Sequence, residues 1–447
     1  MRLKTEIIAA IATAPGRGGI GIVRVSGPRL ASWGPALIGR DFAGRCAIRA
    51  QFRDRDGRAL DDGLALFFAA PNSYTGEDVI ELHGHGGPVV TRMILARTLE
   101  LGARLAEPGE FTRRAFLNEK LDLAQAEAVA DLIDAATESS ARCAMRSLQG
   151  EFSRRVTMLT DQLVELRMLV EATLDFPDED IDPLDRRGTR DRLAVLQAAI
   201  DQTLTMARQG SLLRSGLNVV LVGRPNVGKS SLLNRLAGDE VAIVTPIAGT
   251  TRDAVRQVLS LQGIPVHVVD TAGLRETTDP VEALGIARTW AEIEKADVVV
   301  VIVDARMGVT VPDHEILDRL PTGLKRVIVH NKADLYDVSC GRRDDPLGIR
   351  VVLSARTGEG VSQLQDDLLE IAGWHPGTED VYMARERHLT ALQRASGLVA
   401  AAASMMKQTE LLAEDLRLAQ VALNSITGAF TADDLLGEIF SRFCIGK

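Results

Sequence analysis

Cysteine is scarce in this chain of 447 residues, and aromatic residues make up only 4% of it. The four cysteines, Cys46, Cys143, Cys340 and Cys444, lie far apart and form no C-x-x-C pair. Their spacing predicts neither a zinc site nor a disulfide framework, and it favours a reducing cytosol. The low aromatic content suits helices rich in leucine and alanine better than β-sandwiches.

Long apolar runs are also missing, since none approaches the about 18 residues that a membrane-spanning helix needs. The start faintly resembles a signal peptide, but Glu6 interrupts its basic region. A net charge of −9 argues against a grip on nucleic acid by the whole chain. Residues 1–60 nevertheless contain eleven Lys/Arg against four Asp/Glu, a difference of +7. That excess could meet an anionic ligand or nucleic acid, or form a solvated basic face.

What the chain does contain is the glycine-rich segment G-R-P-N-V-G-K-S-S at 223–231. It follows a short apolar run and opens a helix-like segment, which is the setting in which backbone N–H groups surround a di- or triphosphate. Lys229 would place a cation against the outer phosphates, and the Ser230 hydroxyl would coordinate magnesium. The predicted phosphate contacts are Asn226, Val227, Gly228, Lys229, Ser230 and Ser231.

Three further motifs follow, each at the end of a strand pattern: Asp270-Thr271-Ala272-Gly273, Asn331-Lys332-Ala333-Asp334 and Ser354-Ala355. Each alone could be a turn after a strand, but their order at the strand ends predicts a ligand site. The Asp334 carboxylate can accept hydrogen bonds from the ring N–H and the exocyclic amine of guanine, whereas adenine offers no such pair. A buried acceptor of this kind can discriminate by roughly 10⁴ or more. The nucleotide is therefore predicted to be GTP.

Two groups that promote GTP hydrolysis in other G proteins are missing. Leu274 stands directly after D-T-A-G, where Ras-like enzymes carry a glutamine that orients the attacking water. No arginine finger can be assigned either. Glu282 is the candidate base or water-orienting group, and the alternative for it is an exposed glutamate that begins a helix.

The loop 245–253, together with Asn226, could supply oxygen atoms to a monovalent cation that bridges the phosphates. Such an ion would offset the charge that develops during transfer, as an arginine does elsewhere. Thr251 would be the second magnesium ligand. The nucleotide contacts predicted for this loop are Thr245, Pro246, Ile247, Ala248, Gly249, Thr250 and Thr251.

The organisation of the chain predicts a multidomain α/β and α protein. Short alternating segments up to about Gly109 indicate an α+β domain. The absence of Gly and Pro from 111–149 and the helical spacing of apolar residues predict long helices there, at 159–174 and from about 185 to 213. We expect an N-terminal domain at 1–118, a helical domain at 119–213 and 374–447, and a Ras-like P-loop G domain inserted at 214–373.

Several segments outside the nucleotide motifs are equally distinctive. They include A-P-G-R-G-G-I-G-I-V-R-V-S-G, S-Y-T-G-E-D-V-I-E-L-H-G-H-G-G, P-G-E-F-T-R-R-A-F-L-N-E-K-L-D-L-A-Q-A-E-A and the tail F-C-I-G-K. With them, the chain resembles the tRNA-uridine-modification GTPases of the MnmE/TrmE family over essentially its whole length. Ala14 and Pro246 depart from the family pattern, in which proline and aspartate are frequent there, and neither departure removes an assigned ligand.

The resemblance implies a homodimer built through a folate-binding-like N-terminal domain. It further implies a G domain that dimerises across its nucleotide face when potassium and the transition state are present. It also implies work with an FAD-dependent MnmG-type partner to add a (carboxymethyl)aminomethyl group to C5 of wobble uridine in certain tRNAs. The carbon would come from 5-formyl- or 5,10-methylene-tetrahydrofolate. A regulatory GTP-binding switch without folate chemistry is the alternative, which the nucleotide motifs alone do not separate.

Residue roles are implied by the same resemblance. Arg24, Glu81, Lys120 and Lys447 match folate-contacting positions. Asn226, Thr245, Ile247 and Thr250 match the potassium site, Ser230 and Thr251 match magnesium, and Glu282 matches the catalytic carboxylate. From the residues alone, Arg24 in a strand, Glu81 before a glycine cluster and Lys120 on a helix would each be an exposed charge. Cations nevertheless suit the glutamate tail of folate, and a carboxylate can accept from pterin N–H groups.

Two histidines and one cysteine are further candidates for metal binding or nucleophilic chemistry. His83 and His85 have an H-x-H spacing that could ligate a metal, but the sequence identifies no acidic or third histidine partner. We interpret them as residues of a backbone turn. Cys444 could be a nucleophile, although a small buried side chain is the simpler expectation.

Overall fold

The fold is described from a computed structural model, which covers residues 6–42, 44, 46–175, 186–238, 256–270, 289–336, 338–375, 381–428, 433–441, 443, 444 and 446. The chain divides into two compact units. The first comprises 1–130 with 423–447, and the second comprises 131–422.

The first unit is built on a six-stranded sheet in the order β3-β4-β5-β2-β1-β6. Its strands are β1 Ile8–Ile11, β2 Gly18–Gly27, β3 Ile48–Arg53, β4 Ala59–Phe68, β5 Asp78–Gly86 and β6 Arg104–Leu105. Only β1 and β6 pair in parallel. Apolar residues alternate along the central strands, so that Val23, Val25, Ile80 and Leu82 are all buried on one core face.

The described helices of this unit include α1 Gly34–Ile38, α2 Pro88–Glu100, α3 Glu110–Leu117, α4 Leu123–Ile133, whose last residues belong to the second unit, and a helix at Asp433–Ser441. Ile94 of α2 joins the core on one face of the sheet, and Phe111 of α3 packs with Ile8 and Ala10 on the other. The α+β prediction for this part of the chain is confirmed. Lys120, however, lies in the connection between α3 and α4 and not on a helix, because Glu119 adopts a left-handed conformation at φ +56° that ends α3.

Buried ion pairs fasten α3 to the strands and loops around it. The Arg114 guanidinium is 2.8 Å from Glu77 Oε2 and 3.0 Å from Glu110 Oε1. Glu110 in turn pairs with Arg104 at 2.6 Å. Burial alone would raise the pKa of Glu110, but hydrogen bonds, first those from Arg104, lower it to about 2. Charged side chains therefore hold the interior of this unit together.

The second unit begins with the helices α5 Glu138–Leu148, α6 Glu151–Asp175 and α7 Arg186–Ser215. The two long helices α6 and α7 confirm the periodicity predictions for these regions. The long helices expected within 111–149 are not found there, because this segment is divided into the three shorter helices α3, α4 and α5. The chain breaks between α4 and α5 although no Gly or Pro lies there, because the Thr137 side chain accepts from Ser140 N and caps the start of α5.

The G domain carries a seven-stranded sheet in the order β12-β13-β11-β10-β7-β9-β8. Its strands are β7 Leu217–Gly223, β8 Arg256–Leu261, β9 Ile264–Asp270, β10 Val298–Asp304, β11 Lys325–Asn331, β12 Gly341–Asp345 and β13 Gly348–Val352. The central pairs are parallel, and the two edge strands β8 and β12 are antiparallel to their neighbours. The run V-V-V-V-I-V of β10 is buried on both faces, as expected for such a sheet.

The order of strands reverses at β7, because β9 pairs on one side of it and β10 on the other. Ligands of open α/β sheets bind at the carboxyl end of such a strand. Within its described residues, the helices of this domain include α8 Lys229–Ala237, α9 Val311–Arg319 and α10 Val361–Ala372. The strand predicted before Ser354 is β13, and the edge strand β12, which pairs with it in a hairpin, was not predicted from the sequence.

The chain enters and leaves the G domain beside a single carboxylate. Asp131 Oδ1 accepts from Arg214 Nε at 2.9 Å and from Arg385 Nη2 at 2.8 Å. Arg214 lies in the last turn of α7, shortly before β7, and Arg385 directly precedes α11 Glu386–Ser404, which α12 Thr409–Thr427 follows. In the described part of the chain, no helix is both long and apolar enough to cross a membrane.

Candidate functional site

The loop between β7 and α8 is shaped by its close contacts. Gly228 has φ +99°, and a Cβ atom there would lie 2.3 Å from Asn331 Nδ2. A Cβ on Gly223 would lie 2.4 Å from the carbonyl oxygen of Ile302. Asn226 is left-handed at φ +64°, a conformation that asparagine tolerates better than most residues. Glycine is thus required at both ends of the turn.

Lys229, the first residue of α8, turns its side chain back over this loop. Its Nζ donates to the carbonyl oxygens of Gly223 at 2.8 Å and Arg224 at 3.2 Å. The ammonium group therefore lies beside the N-terminus of α8, where the helix dipole and the first N–H groups also favour an anion. This geometry suits the outer phosphates of a nucleotide.

Asn331, at the end of β11, joins two of the predicted motifs through its side chain. Its Nδ2 donates to Val227 O at 2.8 Å, and its Oδ1 accepts from Ala355 N at 2.9 Å. The residue is only 2% exposed, so both bonds are shielded from water. The Asn331 amide thereby fixes the phosphate loop relative to the segment of Ser354 and Ala355.

Asp334 lies in a short 3-10 helix, Ala333–Leu335, directly after Lys332. Ser354 Oγ accepts from Thr357 N at 3.1 Å, and its own proton is directed to Asp334 Oδ1 at 2.6 Å. The other oxygen, Oδ2, pairs with Arg356 at 2.9 Å. The side chain of Asp334 is 10% exposed and that of Arg356 is 75% exposed. Arg356 is therefore the partner that can move aside for a base.

Asp304 positions Lys332, and sequence reasoning missed it. Lys332 Nζ lies 3.0 Å from Asp304 Oδ2. Burial alone would raise the pKa of Asp304, but the hydrogen bonds from Lys332 and from Arg306 N lower it. Both residues line a cleft of about 330 Å³ beside the phosphate loop. An acid at the end of the run Val298–Val303 was the signal that could have found it.

Part of the predicted nucleotide site lies outside the described residues. This applies to the loop positions Thr245–Thr251, to Thr271–Gly273, to Glu282 and to Lys447. Asp270 ends β9, where its backbone pairs with Leu221 of β7. The structure thus brings together the phosphate loop, Asn331, Asp334 and the segment of Ser354 and Ala355.

A second cluster of predicted residues lies on the sheet of the first unit. Arg24 of β2 stands directly opposite Glu81 of β5, and Arg24 Nε donates to Glu81 Oε1 at 2.9 Å. Arg24 Nη1 also donates to Gly446 O at 3.4 Å. The guanidinium carbon lies 5.6 Å from the ring centroid of Tyr74 and 5.8 Å from that of Phe111. These contacts hold the arginine in one place.

The interpretation of His83 and His85 as turn residues is wrong, because both lie in β5. Each also has an acidic neighbour: His83 Nε2 is 3.0 Å from Glu81 Oε2, and His85 Nδ1 is 2.7 Å from Asp61 Oδ1. Asp61 is distant in sequence and reaches His85 from β4, which is why the sequence did not reveal it. Within the described residues, no group of three or more His, Cys, Asp or Glu side chains is arranged to hold a metal ion.

Two other expectations for this unit can be compared with the structure. Lys120 is exposed, and its stem runs close to Gly76, where an added Cβ would be 3.3 Å from Lys120 Cγ. Cys444 is exposed, so the expectation of a small buried side chain is wrong. Its backbone oxygen accepts from Gly109 N at 3.4 Å, so the contact to the chain is made by the peptide group and not by the sulfur.

The strand order, the loop after β7 and the position of Asp334 define a Ras-like P-loop G domain. The sequence model for the GTP-binding protein TrmE N-terminus matches residues 7–120, and the model for the MnmE helical domain matches 123–444. The chain belongs to the MnmE family of tRNA modification GTPases.

Curated relatives match the chain from end to end. The tRNA modification GTPase MnmE of Dechloromonas aromatica is 60% identical over 449 residues, which cover 100% of both chains. The protein of the same name from Aromatoleum aromaticum is 60% identical over 442 residues, covering 99% of this chain and 98% of the relative. That of Neisseria meningitidis serogroup A is 60% identical over 441 residues, covering 98% of each.

Proposed function

We propose that this chain hydrolyses GTP and that it does so as part of tRNA modification. The observation that carries the proposal is the Asn331 side chain, which joins a phosphate loop to the segment beside Asp334. Full-length identity of 60% to proteins named tRNA modification GTPases supports the assignment to tRNA. The domains within which we place these activities are 1–118, 119–213 with 374–447, and 214–373.

The phosphate loop offers oxygen and nitrogen groups that suit a magnesium nucleotide. The Lys229 ammonium and the start of α8 would bind the phosphates, and Ser230 with Thr251 would hold Mg²⁺, a hard cation that prefers oxygen ligands. For potassium we propose Asn226, Thr245, Ile247 and Thr250. When bound, that ion supplies positive charge where an arginine finger acts in other G proteins.

For catalysis we propose Glu282, because Leu274 replaces the water-orienting glutamine of Ras-like enzymes. A carboxylate within hydrogen-bond reach of a water molecule can orient it and accept its proton. Asp334 would select guanine through its two acceptor oxygens, while Lys332 and Ser354 would hold the base and the carboxylate in place.

For the modification itself we propose that Arg24, Glu81, Lys120 and Lys447 bind a reduced folate, either 5-formyl- or 5,10-methylene-tetrahydrofolate. The folate would supply one carbon for a (carboxymethyl)aminomethyl group at C5 of a wobble uridine. The partners would be an FAD-dependent MnmG-type enzyme, tRNA and a second copy of this chain, in the cytoplasm. The Arg24–Glu81 pair supports this site, because it offers both a cation and an acceptor to one ligand.

The test of the nucleotide part is the rate of GTP hydrolysis by the full chain in potassium and in sodium at matched ionic strength. We expect faster hydrolysis in potassium, and equal rates would remove the cation from the mechanism. A titration with 5-formyltetrahydrofolate tests the folate part. Hydrolysis without folate binding would favour the regulatory switch.

A further inference from the structure

Both oxygens of the Glu81 carboxylate are held by donors in the cluster on β2 and β5. Oε1 accepts from Arg24 Nε at 2.9 Å, and Oε2 lies 3.0 Å from His83 Nε2. His83 is two residues further along the same strand, so its side chain emerges on the same face of the sheet as Glu81. The side chains of Arg24, Glu81 and His83 are 22%, 16% and 24% exposed, so a ligand can reach them.

This double hold matters because a carboxylate rotates easily about its last torsion, which has a broad and roughly two-fold profile. One donor on one oxygen would leave the plane of the group poorly defined. A donor on each oxygen fixes that plane. An ionised carboxylate has about four lone-pair sites, and the described donors Arg24 and His83 use two of them, so the group has capacity to accept from a ligand as well.

We propose that His83 is a positioning residue for a reduced pterin: it orients the Glu81 carboxylate toward the two neighbouring N–H donors of a 2-amino-4-oxo-pyrimidine ring. Those donors are the ring N–H and the exocyclic amine, which lie side by side and can each donate to one oxygen of a carboxylate. The inference rests on the folate site proposed above, including the pterin contact expected for Glu81, and adds His83 to that site.

His85 provides a matched control on the same strand. Its ring pairs with Asp61 and not with Glu81, and its side chain is 73% exposed. Replacement of His85 therefore removes an imidazole from the same strand without loosening the Glu81 carboxylate.

The test is the dissociation constant of 5-formyltetrahydrofolate for the full chain, measured by calorimetry. We expect His83→Ala to weaken binding about ten-fold, the usual size of a lost hydrogen bond to a charged group. His83→Gln, whose amide can still donate to Glu81, should stay within about three-fold of the unchanged chain. His85→Ala should bind as the unchanged chain does.

A double-mutant cycle separates positioning from general support of the fold. In a Glu81→Gln background, we expect His83→Ala to weaken binding by less than about two-fold, because the carboxylate that His83 orients is no longer there. Thermal unfolding identifies a variant that fails to fold, and His83→Asn, which is too short to reach Glu81, then takes the place of His83→Ala.

The outcomes separate the two proposals. If the unchanged chain does not bind 5-formyltetrahydrofolate, the folate site itself fails. If the unchanged chain binds and His83→Ala binds equally well, the inference about His83 is overturned while the folate site stands. Equal losses for His83→Ala in both backgrounds would also overturn it, because His83 would then act independently of Glu81.

Discussion

Two carboxylates of this chain, Asp334 in the G domain and Glu81 in the first unit, have comparable hydrogen bonding. Each has a donor on both oxygens, and for each we propose a ligand with a ring N–H beside an amine. Their partners differ: Asp334 has the Ser354 hydroxyl and the exposed Arg356, whereas Glu81 has the less exposed Arg24 and His83. The G-domain site is ordered mainly by neutral and backbone groups, and the site of the first unit mainly by charges.

This difference indicates how each site meets its ligand. Asn331, Gly228 and the strand ends of the parallel sheet set the nucleotide site before any ligand arrives. Among the described partners of Asp334, the exposed Arg356 is the one that we expect to move aside for a base. In the first unit, the charged partners are also the groups that would contact the ligand, so binding has to build on existing ion pairs. Ligand binding at the nucleotide site should therefore depend mainly on shape, and ligand binding at the Arg24–Glu81 site mainly on charge.

The largest expected effect is that of Asp334→Asn. An asparagine presents an N–H group where guanine needs an acceptor, so we expect GTP affinity to fall by about 100-fold or more. Xanthosine triphosphate, which carries a carbonyl group in place of the guanine amine, should bind better than GTP. Competition with labelled GTP measures both, and Asp318→Asn, an exposed aspartate of α9, is the control. Unchanged preference for GTP would contradict the role of Asp334.

The second prediction compares how the stability of each unit changes as the pH falls. Burial lowers the pKa of His330 on β11 from 6.5 to about 4, so the folded G domain resists its protonation. The stability that this shift represents is present above pH 6.5 and is lost as the pH falls toward 4, on the order of 3 kcal/mol in all. The lowered pKa of Glu110 acts only below its ordinary 4.5, where stability is lost toward pH 2.

Denaturant unfolding at pH 7 and pH 5 measures this difference. Single-tryptophan variants report on one unit each, since Trp33 belongs to the first and Trp290 to the second. We expect the Trp290 signal to lose stability at pH 5 and the Trp33 signal to lose much less. His330→Leu should remove most of the change at Trp290. Equal losses at both tryptophans would contradict the assignment to His330.

The third prediction tests whether a neutral amide orders the nucleotide site. Asn331→Ala leaves Val227 O and Ala355 N without their buried partner, which should lower the free energy of unfolding by about 2 kcal/mol. We also expect GTP binding to weaken about ten-fold. Asn331→Asp keeps an acceptor for Ala355 N but loses the donor to Val227 O. Its stability and its GTP affinity should lie between those of the unchanged chain and those of Asn331→Ala. Calorimetry and denaturant unfolding of the three proteins provide the measurement.

The smallest effect is expected from removing one arginine at each carboxylate. Because Arg356 is 75% exposed, its ion pair contributes little, and Arg356→Ala should leave GTP binding unchanged or tighten it by up to about three-fold. Arg24→Ala should instead weaken binding of 5-formyltetrahydrofolate. A loss of GTP affinity in Arg356→Ala would show that the two sites are more alike than their burial indicates.

The features that sequence reasoning found are local in the chain. The phosphate loop, the long helices α6 and α7, and Asp334 each depend on residues within one short segment. The features that it missed join distant segments: Asn331 reaches Val227 across 104 positions, and His85 meets Asp61 across 24. Lys120 was placed on a helix because nothing in the residue type announced the left-handed backbone of Glu119.

The two ion pairs of Asp131, with Arg214 and with Arg385, constrain the segment between these arginines. Both polypeptide leads of the inserted domain are fastened to the same carboxylate, through Arg214 on the way in and Arg385 on the way out. A segment bonded to Asp131 at one end alone could rotate about that end without disturbing an ion pair, whereas a segment bonded at both ends could not. Rotation of the G domain relative to the helices that end near Arg214 and begin after Arg385 would therefore have to strain or break one of these two ion pairs.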